Sequence, residues 1–260
     1  MFDTTVSRDG TCIAFERRGD GTPIILVVGA FNERATAMPL AECLARQFTT
    51  IVYDRRGRGD SADTLPYAPE REFEDLAALI DVVGGSAGVF GYSSGAMLAL
   101  QAAASGLQIR RLALYDPPYL VDAQDTDHTE KLAQLIAHGA RGEAVEYFQR
   151  ELVGIPPEIV AQLRHAPFRP ALERIAHTLV YESTLLGDRS LPTRDVAARV
   201  SVPTLVLAGG AGSPIMPRAA HALATLLPNA RAHILPTEGH DLAPAALTPL
   251  LGEFFGEDLR

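Results

Sequence analysis

Gly91-Tyr92-Ser93-Ser94-Gly95 carries the clearest chemical signal in this 260-residue chain, with the apolar Ala87-Gly88-Val89-Phe90 before it and the helix-forming Ala96-Met97-Leu98-Ala99-Leu100 after it. A strand that turns into a helix across one residue presents that residue at the helix N-terminus, where free amides and the helix dipole favour an anion. Small residues must flank such a turn, because side chains there would meet the strand and the helix. A serine so placed is a candidate nucleophile for acyl transfer through a covalent intermediate. G-x-S-x-G also describes a tight turn that merely packs well, but the strand and helix patterns around it favour the nucleophile.

A serine of this kind needs a base and a group that orients the base. Seven histidines are available: His128, His138, His165, His177, His221, His233 and His240. Their surroundings depend on the elements that carry them. Alternating stretches from Asp3 to Ser7 and Thr11 to Arg17 flank Arg8-Asp9-Gly10 and predict a hairpin. Short apolar runs, the pattern of strands buried on both faces, lie at Pro23 to Val28, Thr50 to Tyr53, Ala87 to Gly91, Leu112 to Tyr115 and Pro203 to Ala208. Arg231 to Leu235 is more amphipathic and fits a sheet edge. Helical periodicity fills the gaps, over Arg34 to Phe48, Glu70 to Val83, Ala96 to Ser105, Pro217 to Leu227 and Pro244 to Phe255. This alternation predicts an α/β fold, a mostly parallel twisted sheet with helices on both faces.

One segment breaks the alternation. Residues 117–195 show no strand pattern, only amphipathic stretches near Thr129 to His138, Gly142 to Val153, Pro157 to His165 and Pro170 to Leu186. We read a core in two parts, 1–116 and 196–260, with 117–195 inserted as a helical lid over the carboxyl edge of the sheet. The lid stripes Leu132, Leu135, Ile136, Phe148, Leu152, Leu179 and Tyr181 offer apolar surface to a substrate, and equally to simple packing.

Composition narrows the classes further. With 47% hydrophobic and 21% charged residues the chain is ordinary globular protein. Its net charge of −9 (23 basic against 32 acidic) argues against nucleic acid and anionic membranes as partners. No stretch is long and apolar enough to predict a membrane span, and the acidic start Met1-Phe2-Asp3 lacks the basic region of a signal peptide. Two cysteines, Cys12 and Cys43, make no disulfide framework, so a cytoplasmic protein is expected; the oligomeric state is not legible in the sequence, monomer and homodimer both being open. No metal-ligand set or nucleotide fingerprint is present, so no cofactor or metal is expected. Gly209, Gly210 and Gly212 follow a strand but lack the spacing of a phosphate cradle.

Nearly the whole chain resembles the α/β-hydrolase family. The elbow around Ser93 carries the resemblance, as does Asp54-Arg55-Arg56-Gly57-Arg58-Gly59-Asp60-Ser61, similar to the family's D-x-R-G-x-G-x-S loop. This reads the arginine run as a structural turn with ion pairs. The resemblance implies Ser93 as nucleophile and His240, beyond the last strand, as base. It implies Ser94 and Ala30 as amide donors of an oxyanion hole, with Val28 standing where the family often has histidine. Phe31, Asn32 and Tyr92 are expected to line the site. The acid departs from the commonest pattern, since no carboxylate occurs from Val196 through Thr237. Asp116, after the strand Leu112 to Tyr115, takes a position some members use instead; an aspartate before Pro117-Pro118 also suits a turn.

Serine at the elbow disfavours branches that attack carbon through aspartate, and the absence of tryptophan removes the halide clamp typical of dehalogenases. The expected reaction is hydrolysis of a carboxylic ester or lactone of a small to medium, largely apolar molecule. The elbow with its early acid is similar to the lactone-hydrolase group. The alternatives on the same fold are a cofactor-free C–C hydrolase, lyase or oxygenase, and a ligand-binding member without turnover.

Overall fold

The computed structural model describes residues 2–122 and 126–257. Met1, 123–125 and 258–260, within the first core part, the lid and the second core part respectively, lie outside the described residues. Eight strands form one sheet in the order β1-β2-β4-β3-β5-β6-β7-β8. They are β1 (Asp3–Val6), β2 (Cys12–Arg18), β3 (Thr22–Val27), β4 (Phe48–Tyr53), β5 (Ala87–Tyr92), β6 (Ile109–Tyr115), β7 (Thr204–Gly209) and β8 (Ala230–Leu235). The hairpin β1–β2 and the β2–β4 pair are antiparallel, and β3 through β8 all run parallel. Every residue of β4, β5 and β7 is buried, whereas β8 alternates, as its pattern of polar and apolar residues requires of an edge.

Helices cover both faces. On one, α1 (Met38–Leu44) and α11 (Pro244–Gly256) pack on Leu26, Phe90 and Leu207. On the other, α2 (Pro69–Val82), α3 (Ser94–Ala104) and α10 (Ile215–Leu226) enclose Ile25, Val89 and Val206. Helix α1 is shorter than the periodicity of Arg34 to Phe48 predicts. Pro39 has no N–H to give an earlier turn, so a 3-10 turn at Arg34–Thr36 precedes it, and Phe48 belongs to β4.

Between β6 and β7 the described residues hold α4 (Thr129–Ala137), α5 (Arg141–Tyr147), α6 (Pro157–Leu163), α7 (Arg169–Arg174), α8 (Thr178–Leu186) and α9 (Arg194–Ala198). The helical insertion is more segmented than its pattern predicts. The single helix expected from Pro170 to Leu186 is broken because Arg141 Nη1 donates to the carbonyls of Glu173 (2.9 Å) and Arg174 (2.7 Å), ending α7 there. The stretch from Gly142 to Val153 is also divided, α5 passing into a π turn at Phe148–Leu152. Helix α8 seats the insertion on the core against α2 and α3.

Candidate active site

The parallel register determines what meets at the carboxyl edge. Tyr92 of β5 pairs with Tyr115 of β6, so Ser93 and Asp116, each the next residue, emerge side by side. The Ser93 amide donates to Tyr115 O and the Asp116 amide to Leu207 O, both at 2.9 Å, fastening the strand ends together. Ser93 adopts φ 56° and ψ −127°. The elbow is tight on both sides. A Cβ on Gly91 would lie 2.6 Å from Ala96 Cα, and one on Gly95 would lie 2.7 Å from Val28 O.

His240 arrives from the loop between β8 and α11. Its Nδ1 lies 2.8 Å from Asp116 Oδ2 and its Nε2 lies 3.2 Å from Ser93 Oγ. A carboxylate only accepts, so Nδ1 carries the proton and the Nε2 lone pair faces the serine hydroxyl. The other carboxylate oxygen, Asp116 Oδ1, accepts the Gly209 amide at 2.9 Å. Gly209 is the last residue of β7, next to the stretch without acids. A Cβ there would stand 2.7 Å from Glu238 O, because the loop carrying His240 lies across it. That strand end therefore has no room for an acidic side chain, and supplies an N–H to the acid of its neighbour.

Of the remaining site residues, the Ala30 amide donates to Ser94 Oγ at 2.9 Å, bringing the β3 loop against the elbow. Asn32 Nδ2 donates to Ala30 O at 2.6 Å, a contact that shapes this loop. Phe31 meets Phe148 of the insertion edge to face, with centroids 5.3 Å apart. The Tyr92 ring lies 5.0 Å from that of His240; burial, then the charges of Asp241 and Asp116, raise its phenol well above its ordinary range and keep it neutral. The other histidines lie elsewhere: His221 is on α10, His233 on β8, and His128, His138, His165 and His177 in the insertion.

Ser93, Ser94, Asp116, His240, Ala30, Phe31, Asn32 and Tyr92 all border one cavity of about 410 Å³, walled by Leu120, Phe148, Leu152, Leu186, Ile215 and Met216. Of the seven apolar lid residues expected to face a substrate, Phe148 and Leu152 do so. Leu132 and Leu179 are fully buried in the core, Leu135 and Ile136 pack against it, and Tyr181 stacks on Tyr67. Among the described residues, the non-glycine ones with positive φ are Phe31 (62°), Ser93 (56°), Asp116 (50°) and Arg189 (53°), and all four border this cavity. Sparsely populated backbone conformations persist where the surrounding structure holds them, and they cluster at functional sites.

Beneath the β3 loop lies the arginine turn, with Arg55, Arg56 and Arg58 all buried. Arg55 grips Glu72 through Nε (2.6 Å) and Nη2 (2.7 Å), and Arg56 grips Asp75 through Nε (2.8 Å) and Nη2 (2.7 Å). Burial alone would raise the Glu72 carboxyl, but the charge and hydrogen bonds of Arg55 prevail and hold it below its usual range. Glu182 of α8, fully buried, accepts from both Arg55 Nη1 and Arg58 Nη2. Sequence reading assigns Glu182 no role; its signal there is an acid in the otherwise apolar neighbourhood Leu179-Val180-Tyr181 and Leu185-Leu186.

Among the described residues no group of three or more His, Cys, Asp or Glu side chains could hold a metal, and no helix is long and apolar enough to cross a membrane. A hydroxyl, an imidazole and a carboxylate in line, beside strand-end amides and under an apolar roof, make a site equipped for nucleophilic attack on a carbonyl.

This architecture is that of an α/β hydrolase. Residues 24–248 match the model of the alpha/beta hydrolase family, and the chain belongs to that family. It is 53% identical to an alpha/beta hydrolase from Sphaerobacter thermophilus whose crystal structure superposes with a TM-score of 0.90, covering 97% of this chain and 100% of the other. A thermophilic esterase from Thermogutta terrifontis superposes with a TM-score of 0.74 at 25% identity over 97% of each chain. N-formylmaleamate deformylase of Pseudomonas putida is 28% identical over 232 residues, 85% of this chain and 83% of the relative.

Proposed function

We propose that this hydrolase cleaves a carboxylic ester or lactone of a small to medium, largely apolar molecule through an acyl-enzyme on Ser93. The observation that carries the reading is the relay Asp116–His240–Ser93, at 2.8 Å and 3.2 Å. His240 Nε2 takes the proton as Ser93 Oγ attacks the carbonyl carbon, and Asp116 stabilises the imidazolium that results. The Ser94 amide receives the negative charge developing on the carbonyl oxygen, joined by the Ala30 amide as it shifts from its acceptor Ser94 Oγ to the oxyanion. The tetrahedral intermediate collapses, His240 returns its proton to the departing alkoxide, and the acyl group stays on Ser93. Water then repeats the cycle in reverse, giving up a proton to His240 and releasing the carboxylic acid. In a lactone the protonated leaving oxygen stays tethered to the acyl group as a hydroxyl, and the second step releases a single hydroxy acid.

The substrate class rests on the cavity. A volume of about 410 Å³ lies within the range of small-molecule sites, roughly 300–1,000 Å³, and its walls are mainly apolar. The insertion acts as the lid, with Phe148 and Leu152 meeting the acyl or alkyl portion. The relative named as a deformylase supports including N-formyl compounds beside esters and lactones in a substrate panel.

A fluorophosphonate probe reads the proposal directly. The folded protein is expected to incorporate one probe at Ser93, and Ser93→Ala to lose both labelling and turnover of short-chain p-nitrophenyl esters. Labelling elsewhere, or ester turnover unchanged in Ser93→Ala, would refute the assignment. The latter result would favour C–C cleavage, lyase or oxygenase chemistry.

A further inference from the structure

We propose that Arg58 and Glu182 are positioning residues for the oxyanion hole: the insertion, through Glu182, holds the guanidinium that aims the Ala30 amide. The inference rests on the acyl-transfer reading above and adds to it a cause for the shape of the β3 loop. Arg58 Nη1 donates to Gly29 O at 2.7 Å and to Asn32 O at 3.2 Å, the two ends of the turn containing Ala30 and Phe31. Gly29 C=O and Ala30 N–H belong to one planar trans peptide, so they point in opposite directions. Holding the carbonyl inward on Arg58 therefore turns the N–H outward, towards the elbow, where it meets Ser94 Oγ. A cationic donor on the carbonyl also polarises the peptide and strengthens its N–H as a donor. Arg55 Nη1 makes the same kind of contact one residue earlier, with Val28 O at 3.2 Å. In this chain two arginines thus hold the loop from beneath, at the point where Val28 replaces the family's frequent histidine.

The arginines in turn depend on the insertion. Arg58 is 2% exposed and Glu182 is 0% exposed, and Oε1 of Glu182 takes a hydrogen bond from each arginine. With Glu72 and Glu182 against Arg55 and Arg58, the buried charges balance. Without Glu182 one cation is left in excess, and Arg58 loses the partner that fixes its second nitrogen. Phe31, at φ 62°, has a conformation its own preferences oppose, so the turn needs these outside anchors.

Arg58→Lys and Glu182→Gln test this. Lysine keeps the charge and the ion pair with Glu182 but lacks the planar fork that serves Glu182 and two carbonyls together. Glutamine keeps the shape and removes the charge. Both variants should lower kcat about 10- to 100-fold with KM changed less than about threefold, a fraction of the 10²- to 10³-fold loss of a deleted oxyanion donor. Sulfur accepts hydrogen bonds poorly, so the ester to thionoester turnover ratio reads the hole itself and should fall by a similar factor. Deuterium exchange at the Ala30 amide should accelerate in both variants. If Glu182→Gln does not fold, Arg58→Lys with its charge balance intact still decides the matter. Unchanged kcat and Ala30 exchange in folded Arg58→Lys would overturn the inference, as would a kcat loss that leaves both the thionoester ratio and Ala30 exchange unaltered. Ser93 failing to react in the wild type would sink the acyl-transfer reading alone, since Ala30 exchange still reports whether Arg58 aims the amide.

Discussion

Replacing Asp116 by asparagine tests the least usual member of the site. Both carboxylate oxygens accept, Oδ1 from the Gly209 amide at 2.9 Å and Oδ2 from His240 Nδ1 at 2.8 Å. Asparagine has one acceptor and one donor end, so it cannot satisfy both neighbours as they stand. The Gly209 N–H is a fixed donor on a buried strand end, whereas an imidazole can move its proton. The side chain should therefore keep its oxygen on Gly209 and present its NH₂ to Nδ1. That forces the proton onto Nε2, which then donates towards Ser93 and cannot accept from it. Loss of the correct tautomer with geometry preserved corresponds to a fall in kcat of about 10⁴-fold, or about 5.5 kcal/mol in the barrier. The measurement is kcat/KM on a p-nitrophenyl ester at neutral pH, with a thermal melt to verify folding. Retention of a tenth or more of wild-type kcat/KM would mean that another group orients His240, and the acid would have to be assigned anew.

Gly209→Ala places a methyl group 2.7 Å from Glu238 O and must push the loop away, carrying His240 off Ser93. A displacement near 1 Å costs about 100-fold in activity, so kcat/KM should fall by that order, and wild-type turnover would contradict the packing described. Phe148→Ala opens the wall opposite Phe31 and should lower stability by about 3–5 kcal/mol, read by urea titration, while raising KM most for long acyl chains. His177 in the insertion has its pKa lowered below 6.5, by burial first and then by the charges of Arg141 and Arg58, against the opposing charge of Asp63. Its unfolded form therefore binds protons more readily than its folded form. The stability this confers is complete above about pH 6.5 and declines as pH falls through the lower folded value. Melting temperatures measured between pH 5 and 7.5 should rise with pH through this window in the wild type and rise less in His177→Gln.

The strands and the elbow are legible from sequence because apolar runs of this length are short of a helix and bounded by turn residues, and because the glycines around Ser93 answer a steric demand that any structure must meet. The register that brings Asp116 to Ser93 is not written in either segment; it follows from which strands pair. Asp116 was nevertheless within reach of the sequence, since the stretch from Val196 to Thr237 has no acid and an orienting carboxylate must come from elsewhere. The hydrogen bond from Gly209 could not be read, because a backbone amide has no sequence signature. The segmentation at Glu173 and Arg174 was hidden for a related reason: Arg141, which takes those carbonyls, is about thirty positions away and on another helix. The role of Glu182 is not legible in the sequence, because periodicity reports which face of a helix is apolar, and a buried acid is an exception to it until its arginine partners are known.

The tie between Glu182 and the arginine turn bears on how this protein could be remodelled. Excising the insertion to obtain a smaller enzyme would leave Arg55 and Arg58 one counter-ion short within the core. Transplanting an insertion from a relative, to change which substrates enter, would do the same unless the donor segment supplied an acid at the matching place. The insertion and the arginine turn are joined by buried charge, so new specificity is better sought by altering cavity-wall residues such as Leu120, Leu152 or Met216 in place.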